Sequence, residues 1–292
     1  MPYAIAAFYR FVALQDAAAL RQEWLAAFAP LDLCGTLLVA PEGINGTLAG
    51  TETAIDAMLE IVGVRTGLPR EDVKFSYAEA KPFNRLKIRL KREIITFKQP
   101  DADPAAHVAT RVAAQDWNAL LDDPEVTLLD TRNKYETLIG SFQGAQDPRI
   151  DTFTEFADYV RGNLDPARHK KIAMFCTGGI RCEKASAFML AEGFEEVYHL
   201  NGGILKYLET IAPQQSRWNG ECYVFDRRMA VGHGLKPGHF SMCFTCGYPL
   251  DEADKAHSLY EEGVSCAHCH GDTGEDDKAR YRMRQQQIAG QP

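Results

Sequence analysis

Hydrophobic and polar positions follow three different patterns along the chain, and the first covers residues 1–98. Apolar runs at 4–12 and 36–40 indicate strands, and apolar residues recur with helical spacing at 17–28 and 54–62. The resulting order is strand, helix, two strands around a tight turn, helix and further strands. This order predicts a ferredoxin-like (acylphosphatase-like) α+β domain.

Strands alternate with helices in the second pattern, residues 115–215. Short apolar segments such as 126–130 and 172–176 are separated by helical stretches. This alternation predicts an α/β domain with a parallel sheet and helices on both of its faces. Ligands of such sheets bind beyond the carboxyl ends of the strands, where Asp130 and Cys176 fall.

The third pattern, residues 216–292, is rich in Gly, His and Cys and poor in periodic apolar residues. So little core can form in this small Cys-rich segment that we expect a metal ion or a neighbouring domain to stabilise it. The polar stretch from Gly271 onwards is expected to be partly disordered. Between the first two patterns, residues 99–114 have little periodicity and predict a linker.

Composition narrows the classes of protein. With 292 residues, of which 46% are hydrophobic, the chain can bury the cores of two or three domains. The net charge of −8 argues against a surface that is basic everywhere, but it permits a local basic face. No signal peptide and no apolar run of about 20 residues is evident, so we expect a soluble, cytoplasmic protein that does not bind a membrane. No obligate protein partner is evident from the sequence. The eight cysteines occur mostly as close pairs, which favours thiol or metal chemistry in a reducing compartment.

The strongest chemical signal is the loop that begins at Cys176 and ends at Arg181. Its middle residues are Thr177, Gly178, Gly179 and Ile180, and a helix is predicted to follow. Backbone N–H groups of such a loop surround the sulfur, and the charge of Arg181 lies nearby. Both effects lower the pKa of a thiol and produce a nucleophilic thiolate. The alternative is an inert cysteine beside a structural turn.

Cys182 directly follows the loop. It is interpreted either as a thiol that resolves an oxidised or persulfidated Cys176, or as a structural thiol that faces the helix.

Several separated motifs resemble the rhodanese family. Residues 126–132 with Glu136 are similar to its early Asp-x-Arg motif, and residues 139–145 are similar to its Gly-His-Ile-x-Gly-Ala turn, with Ser141 in place of His. The six-residue loop has the length that frames a persulfide sulfur in rhodanese-like proteins, whereas the related phosphatases use one residue more. Asp130 and Arg132 either orient the loop or the substrate, or hold the rim of the sheet together.

Flanking segments narrow the resemblance. Residues 35–47, residues 222–228 and the Cys-x-x-Cys pairs resemble motifs of the bacterial rhodanese-related tRNA uridine 5-hydroxylases. The resemblance implies formation of 5-hydroxyuridine at the wobble position of tRNA, with molecular oxygen as co-substrate, an essential loop cysteine and the anticodon loop as partner. A rhodanese-type sulfurtransferase that carries a persulfide is the alternative enzyme, and a zinc-containing RNA-binding module is a third reading. No iron-binding triad and no nucleotide-binding Gly-rich loop is evident, so neither iron, flavin nor a nucleotide cofactor is indicated.

A basic row supports RNA binding independently. Leu86, Ile88 and Leu90 alternate with cations, so a strand here presents a basic face to phosphates. The cations of this basic row are Arg85, Lys87, Arg89, Lys91 and Arg92. The alternative is an edge strand that is charged to prevent aggregation.

Two Cys-x-x-Cys pairs lie in the third segment. Cys243 and Cys246 are separated by nineteen residues from Cys266 and Cys269. This spacing predicts a closed, structural zinc site with four sulfur ligands. The alternative is a set of free or redox-active thiols.

Overall fold

The computed structural model describes residues 2–104 and 109–289. The N-terminal domain is built on a five-stranded, mostly antiparallel sheet. Its elements, in chain order, are β1 (Tyr3–Phe11), α1 (Ala17–Phe28), β2 (Cys34–Ala40), β3 (Gly43–Gly50), α2 (Glu52–Thr66), β4 (Lys74–Ala78) and β5 (Leu86–Leu90). The sheet order is β4-β1-β3-β2-β5, and only the β2–β5 pair is parallel. Apolar residues of α1 and α2, among them Trp24 and Met58, pack with the strands into one core, which confirms the α+β prediction.

A parallel sheet forms the central domain, in the order β6-β10-β9-β7. The elements are β6 (Thr110–Val112), α3 (Ala114–Leu121), β7 (Val126–Asp130), α4 (Lys134–Thr137), β8 (Gly140–Phe142), α5 (Phe156–Asn163), β9 (Lys171–Phe175), α6 (Ile180–Ala191), β10 (Glu196–Leu200) and α7 (Gly203–Thr210). Helices α5 and α6 pack in one apolar cluster and α3 and α7 in another, so both faces of the sheet are covered, as predicted.

The predicted linker is more structured than its sequence indicates. Strand β6 lies inside it, and Ala102 and Ala109 are buried in the core of the central domain. Residues 105–108 of the predicted linker lie outside the described residues. The linker prediction is therefore wrong for 110–112, because this half-exposed strand is too short to show a period.

Short hairpins and two helices make up the C-terminal segment. They are β11 (Trp218–Gly220), which pairs with β8, then β12 (Cys222–Tyr223), β13 (Ala230–Val231), β14 (Ser241–Met242), β15 (Pro249–Leu250), α8 (Glu252–Lys255) and α9 (Glu275–Ala289). Helix α9 corrects the expectation of disorder after Gly271. It is held by the ion pair of Arg282 with Glu261 and by a hydrogen bond from Arg284 to the carbonyl oxygen of Gly263.

Polar side chains join the three parts of the chain. Lys184 of α6 is buried and forms ion pairs with Glu42 at 2.8 Å and Glu93 at 2.6 Å in the N-terminal part. Arg227 of the C-terminal segment donates hydrogen bonds to the carbonyl oxygens of Lys81 and Pro82. The N-terminal domain and the C-terminal segment therefore both pack close to the loop at Cys176. Among the described residues, no helix combines the length and the apolar character needed to cross a membrane.

Candidate active site

The loop at Cys176 lies between the end of β9 and the start of α6, and close backbone contacts fix its shape. The N–H of Gly179 donates to the Cys176 sulfur at 3.1 Å. Gly179 has φ +102°, and a Cβ atom there would lie 2.8 Å from the Tyr9 hydroxyl. At Gly203, a Cβ atom would lie 2.5 Å from the carbonyl oxygen of Cys176. Both positions therefore require glycine if the loop is to keep this conformation.

Cys176 is favoured as a thiolate. Burial opposes ionisation, but the Cys182 thiol, the charge of Arg181 and the N–H groups of Cys182 and Gly179 outweigh it and lower the pKa of Cys176 to about 5. Burial and the neighbouring Cys176 sulfur raise the pKa of Cys182, so this thiol stays protonated and can donate to the thiolate. The pair therefore consists of one nucleophile and one neutral hydrogen-bond donor.

Arg181 has a partner that the loop motif did not indicate. Its guanidinium forms a two-pronged ion pair with the fully buried Glu136, with N–O distances of 2.5 Å and 2.7 Å. The Thr177 hydroxyl also donates to Glu136 at 3.1 Å. Burial disfavours the carboxylate, but the charge and hydrogen bonds of Arg181 hold the pKa of Glu136 below its usual value. The positive charge of Arg181 is thus balanced inside the protein.

Asp130 and Arg132 form a second buried ion pair. Their closest N–O distance is 2.6 Å, and neither side chain is exposed. Arg132 also donates to the carbonyl oxygen of Gly140, and Ser141 donates to Asp130 at 2.9 Å. These contacts tie the end of β7 to β8 and favour the structural interpretation of the pair over a contact with substrate.

A cavity of about 630 Å³ lies above the loop. The loop residues that line the cavity are Cys176, Thr177, Gly178, Ile180 and Arg181. The N-terminal domain contributes Tyr9, Asn45 and Lys74, and later segments contribute Tyr135, Phe225 and Arg228. The sequence patterns named none of these six as site residues, although residues 222–228 were singled out as a motif.

Glu183 anchors a polar network beside the loop. Its carboxylate accepts a hydrogen bond from the Tyr9 hydroxyl at 3.2 Å and forms an ion pair with Arg111 at 2.9 Å. Burial and the charge of Glu183 raise the pKa of Tyr9, so its phenol stays neutral. The ammonium of Lys74 lies 5.2 Å from the centre of the Tyr9 ring.

The basic row lies away from this cavity, on the edge strand β5 and the residues beside it. Ile88 is buried, but Leu90 is 49% exposed, so the apolar face of the strand is only partly covered. Lys87 is half-buried, whereas the other four cations of the row are exposed. This edge position also fits the alternative interpretation, in which the charges protect an edge strand against aggregation. RNA binding by the basic row stays a prediction.

The four cysteines of the C-terminal segment converge. Their sulfur atoms all lie within 4.8 Å of one another, with Cys243–Cys269, Cys246–Cys266 and Cys266–Cys269 distances of 3.9, 3.8 and 3.8 Å. Tetrahedral zinc with Zn–S bonds of roughly 2.3 Å requires sulfur separations of roughly 3.8 Å. The donor set and its dimensions therefore fit one zinc ion.

Comparison with known proteins supports the same fold and points to a family. Residues 3–94 match the UPF0176 acylphosphatase like domain, and residues 113–210 match the Rhodanese-like domain. The chain is 55% identical to a tRNA uridine(34) hydroxylase of Deinococcus radiodurans, over 97% of this chain and 94% of that protein.

Two solved structures each match one part of the chain. The rhodanese-like domain from Anabaena is 22% identical, with a TM-score of 0.32, and covers 39% of this chain and 80% of its own. An acylphosphatase from Bacillus subtilis is 19% identical, with a TM-score of 0.21, and covers 30% of this chain and 97% of its own.

Proposed function

Since this chain belongs to the family of tRNA uridine(34) hydroxylases, we propose that it hydroxylates C5 of uridine at the wobble position of tRNA, with molecular oxygen as co-substrate. The observation that carries the proposal is a buried loop cysteine whose sulfur accepts the N–H of Gly179 and which lines a nucleoside-sized cavity, in a chain 55% identical to such an enzyme. A cavity of about 630 Å³ is within the usual range for small-molecule sites.

The Cys176 thiolate is the nucleophile in this proposal. A uridine that leaves the stack of the anticodon loop enters the cavity, where Tyr135 and Phe225 offer aromatic faces to the base. The sulfur adds to C6 of the uracil ring, and the electrons of the C5–C6 double bond move towards C5 and O4. The addition makes C5 electron-rich, which is the property that a reaction with oxygen at this carbon requires.

The basic row binds the phosphates of the anticodon arm in our proposal. Its exposed cations lie on the edge of the N-terminal domain, which itself supplies one wall of the Cys176 cavity. An RNA bound to both regions spans the N-terminal domain. Binding of this kind depends strongly on salt, because it releases counterions from the RNA.

We also propose that Cys243, Cys246, Cys266 and Cys269 hold one structural zinc ion. Bound zinc supplies no reacting group here; it links the two Cys-x-x-Cys turns of a segment whose own apolar cluster is small. The segment in turn places Phe225 and Arg228 at the cavity.

Mass spectrometry of tRNA nucleosides tests the proposed reaction. A strain that lacks the gene should lose 5-hydroxyuridine and its derivatives, and wild type should restore them while Cys176→Ser should not. Cys34→Ala is the matched control, because Cys34 is a buried cysteine that does not line the cavity. Normal 5-hydroxyuridine without the gene would reject the proposal, and rapid sulfur transfer from thiosulfate in its place would favour a persulfide-carrying sulfurtransferase.

A further inference from the structure

The cations around the cavity differ in how their charge is balanced. Arg181 is paired with Glu136, and Arg228 is paired with Asp226 through N–O distances of 2.5 Å and 2.9 Å. Lys74 lines the same cavity, yet within residues 2–104 and 109–289 no carboxylate lies within ion-pair distance of its ammonium group. Its positive charge is therefore available to a negative charge in the cavity.

Lys74 extends from the N-terminal sheet to the rhodanese-type loop. It is the first residue of β4, and its ammonium donates to the backbone carbonyl oxygen of Asp72 at 3.3 Å. Its Cε atom lies 3.6 Å from the position that a Cβ atom would take at Gly202. The next residue, Gly203, is the one whose close approach to the Cys176 carbonyl fixes the loop. The side chain thus reaches the turn that supports the catalytic sulfur.

The charges around Lys74 keep it protonated at neutral pH, although less firmly than usual. Burial lowers the pKa of Lys74 to about 8. The groups that act on it from the surrounding elements are Asp72, Cys176 and Glu183, which favour the ammonium form, and Lys206, which disfavours it. Because Cys176 has a pKa of about 5, a thiolate and an ammonium face the same cavity between about pH 5 and pH 8.

We propose that Lys74 is a catalytic residue whose ammonium donates a hydrogen bond to O4 of the target uracil. This inference rests on the proposed uridine hydroxylation. When the Cys176 sulfur adds to C6, one S–C bond forms, the C5–C6 π bond breaks, and its electron pair moves to give an enolate with the negative charge on O4. Lys74 keeps its proton and stabilises that charge, as fixed donors do at developing oxyanions. The step is neither oxidation nor reduction, because the thiolate charge moves onto the base.

Steady-state kinetics with tRNA and a thiolate titration test the role of Lys74. We expect Lys74→Met to lower kcat by roughly 10²–10³ with KM for tRNA within about threefold of wild type. The same variant should raise the pKa of Cys176, measured by thiolate absorbance against Cys176→Ser. Lys74→Arg should recover part of kcat and lose the fall in activity above about pH 8, because arginine does not deprotonate there.

Lys206→Met is the matched control. Lys206 also lies beside Gly202, but its ammonium is paired with Glu209 at 2.7 Å, so its removal should change kcat and the Cys176 titration little. A rise in KM with kcat unchanged in Lys74→Met would indicate that Lys74 contacts a phosphate of the tRNA, and it would overturn the proposal. A fall in activity that persists above about pH 8 in Lys74→Arg would overturn it as well. If Lys74→Met fails to fold, the pH dependence of activity in Lys74→Arg decides the question.

Failure of the proposed function is recognised separately. A wild-type enzyme that leaves tRNA unmodified would reject uridine hydroxylation itself. The thiolate titration does not need a substrate, so it remains informative in that case. An unshifted titration of Cys176 in Lys74→Met would then overturn the placement of the Lys74 charge against the sulfur.

Discussion

Replacing Glu136 by Gln removes one charge from the buried pair that supports the Cys176 loop. The Arg181 guanidinium is 7% exposed and Glu136 is not exposed at all, so the substitution leaves a buried cation without its counter-ion. Breaking a buried pair in this way costs roughly 3–5 kcal/mol of unfolding free energy. The pair of Arg161 with Glu192 has a similar N–O distance of 2.6 Å, but its side chains are 47% and 30% exposed. Pairs of that kind contribute roughly 0–1 kcal/mol.

Urea denaturation of Glu136→Gln and Glu192→Gln measures this difference. Tryptophan fluorescence follows the central core directly, because Trp117 and Trp218 are buried there, and Trp24→Phe removes the signal of the N-terminal core. Glu136→Gln should lose several times more unfolding free energy than Glu192→Gln, and the pKa of Cys176 should fall because the charge of Arg181 is no longer balanced. Equal losses in the two variants, or a rise in the Cys176 pKa, would refute this account of the loop.

Four further outcomes are expected. The thiolate of Cys176 should titrate with a midpoint near pH 5, as measured by thiolate absorbance. Because this pKa is depressed, the stability that the thiolate contributes is fully present above the ordinary thiol pKa and is lost as pH falls through about 5. Urea denaturation at several pH values measures this loss. Lys184→Met removes the buried cation between two carboxylates that are 29% and 25% exposed, so we expect a smaller loss of unfolding free energy than in Glu136→Gln, and faster proteolysis between the N-terminal and central domains. Cys246→Ser, or chelation of the wild type, should release about one zinc per chain and expose the C-terminal segment to protease; a folded, zinc-free wild type would contradict the site. Lys87→Gln with Arg89→Gln should weaken tRNA binding and reduce the slope of log K against log salt by about 1 per cation, whereas an unchanged slope would assign the basic row to edge protection.

Local motifs made the central chemistry predictable. The loop from Cys176 to Arg181 is contiguous, so its residue types and their spacing are visible in the sequence even though Gly203 and Glu136 from other segments help to fix its shape. Periodicity likewise predicted both sheets, because their strands bury one or both faces. The four zinc-ligand candidates were found from two short spacings.

Contacts between distant segments could not be predicted in this way. Glu136 pairs with Arg181 from 45 residues earlier in the chain, and Tyr9 reaches Glu183 across 174 residues. Helix α9 was missed because its composition is mostly polar, whereas its order comes from ion pairs such as Lys278 with Glu275 at 3.0 Å. Pattern and composition carry no information on which charge will meet which.

These contacts show what each part of the chain contributes to the cavity. The N–H groups of the rhodanese-type loop, the Cys182 thiol and the charge of Arg181 lower the pKa of Cys176, but the loop forms only the floor of the cavity. The walls come from the N-terminal domain and the C-terminal segment, which Lys184 and Arg227 hold in place. The loop therefore supplies the thiolate, and the N-terminal domain and the C-terminal segment supply most of the other residues that line the cavity.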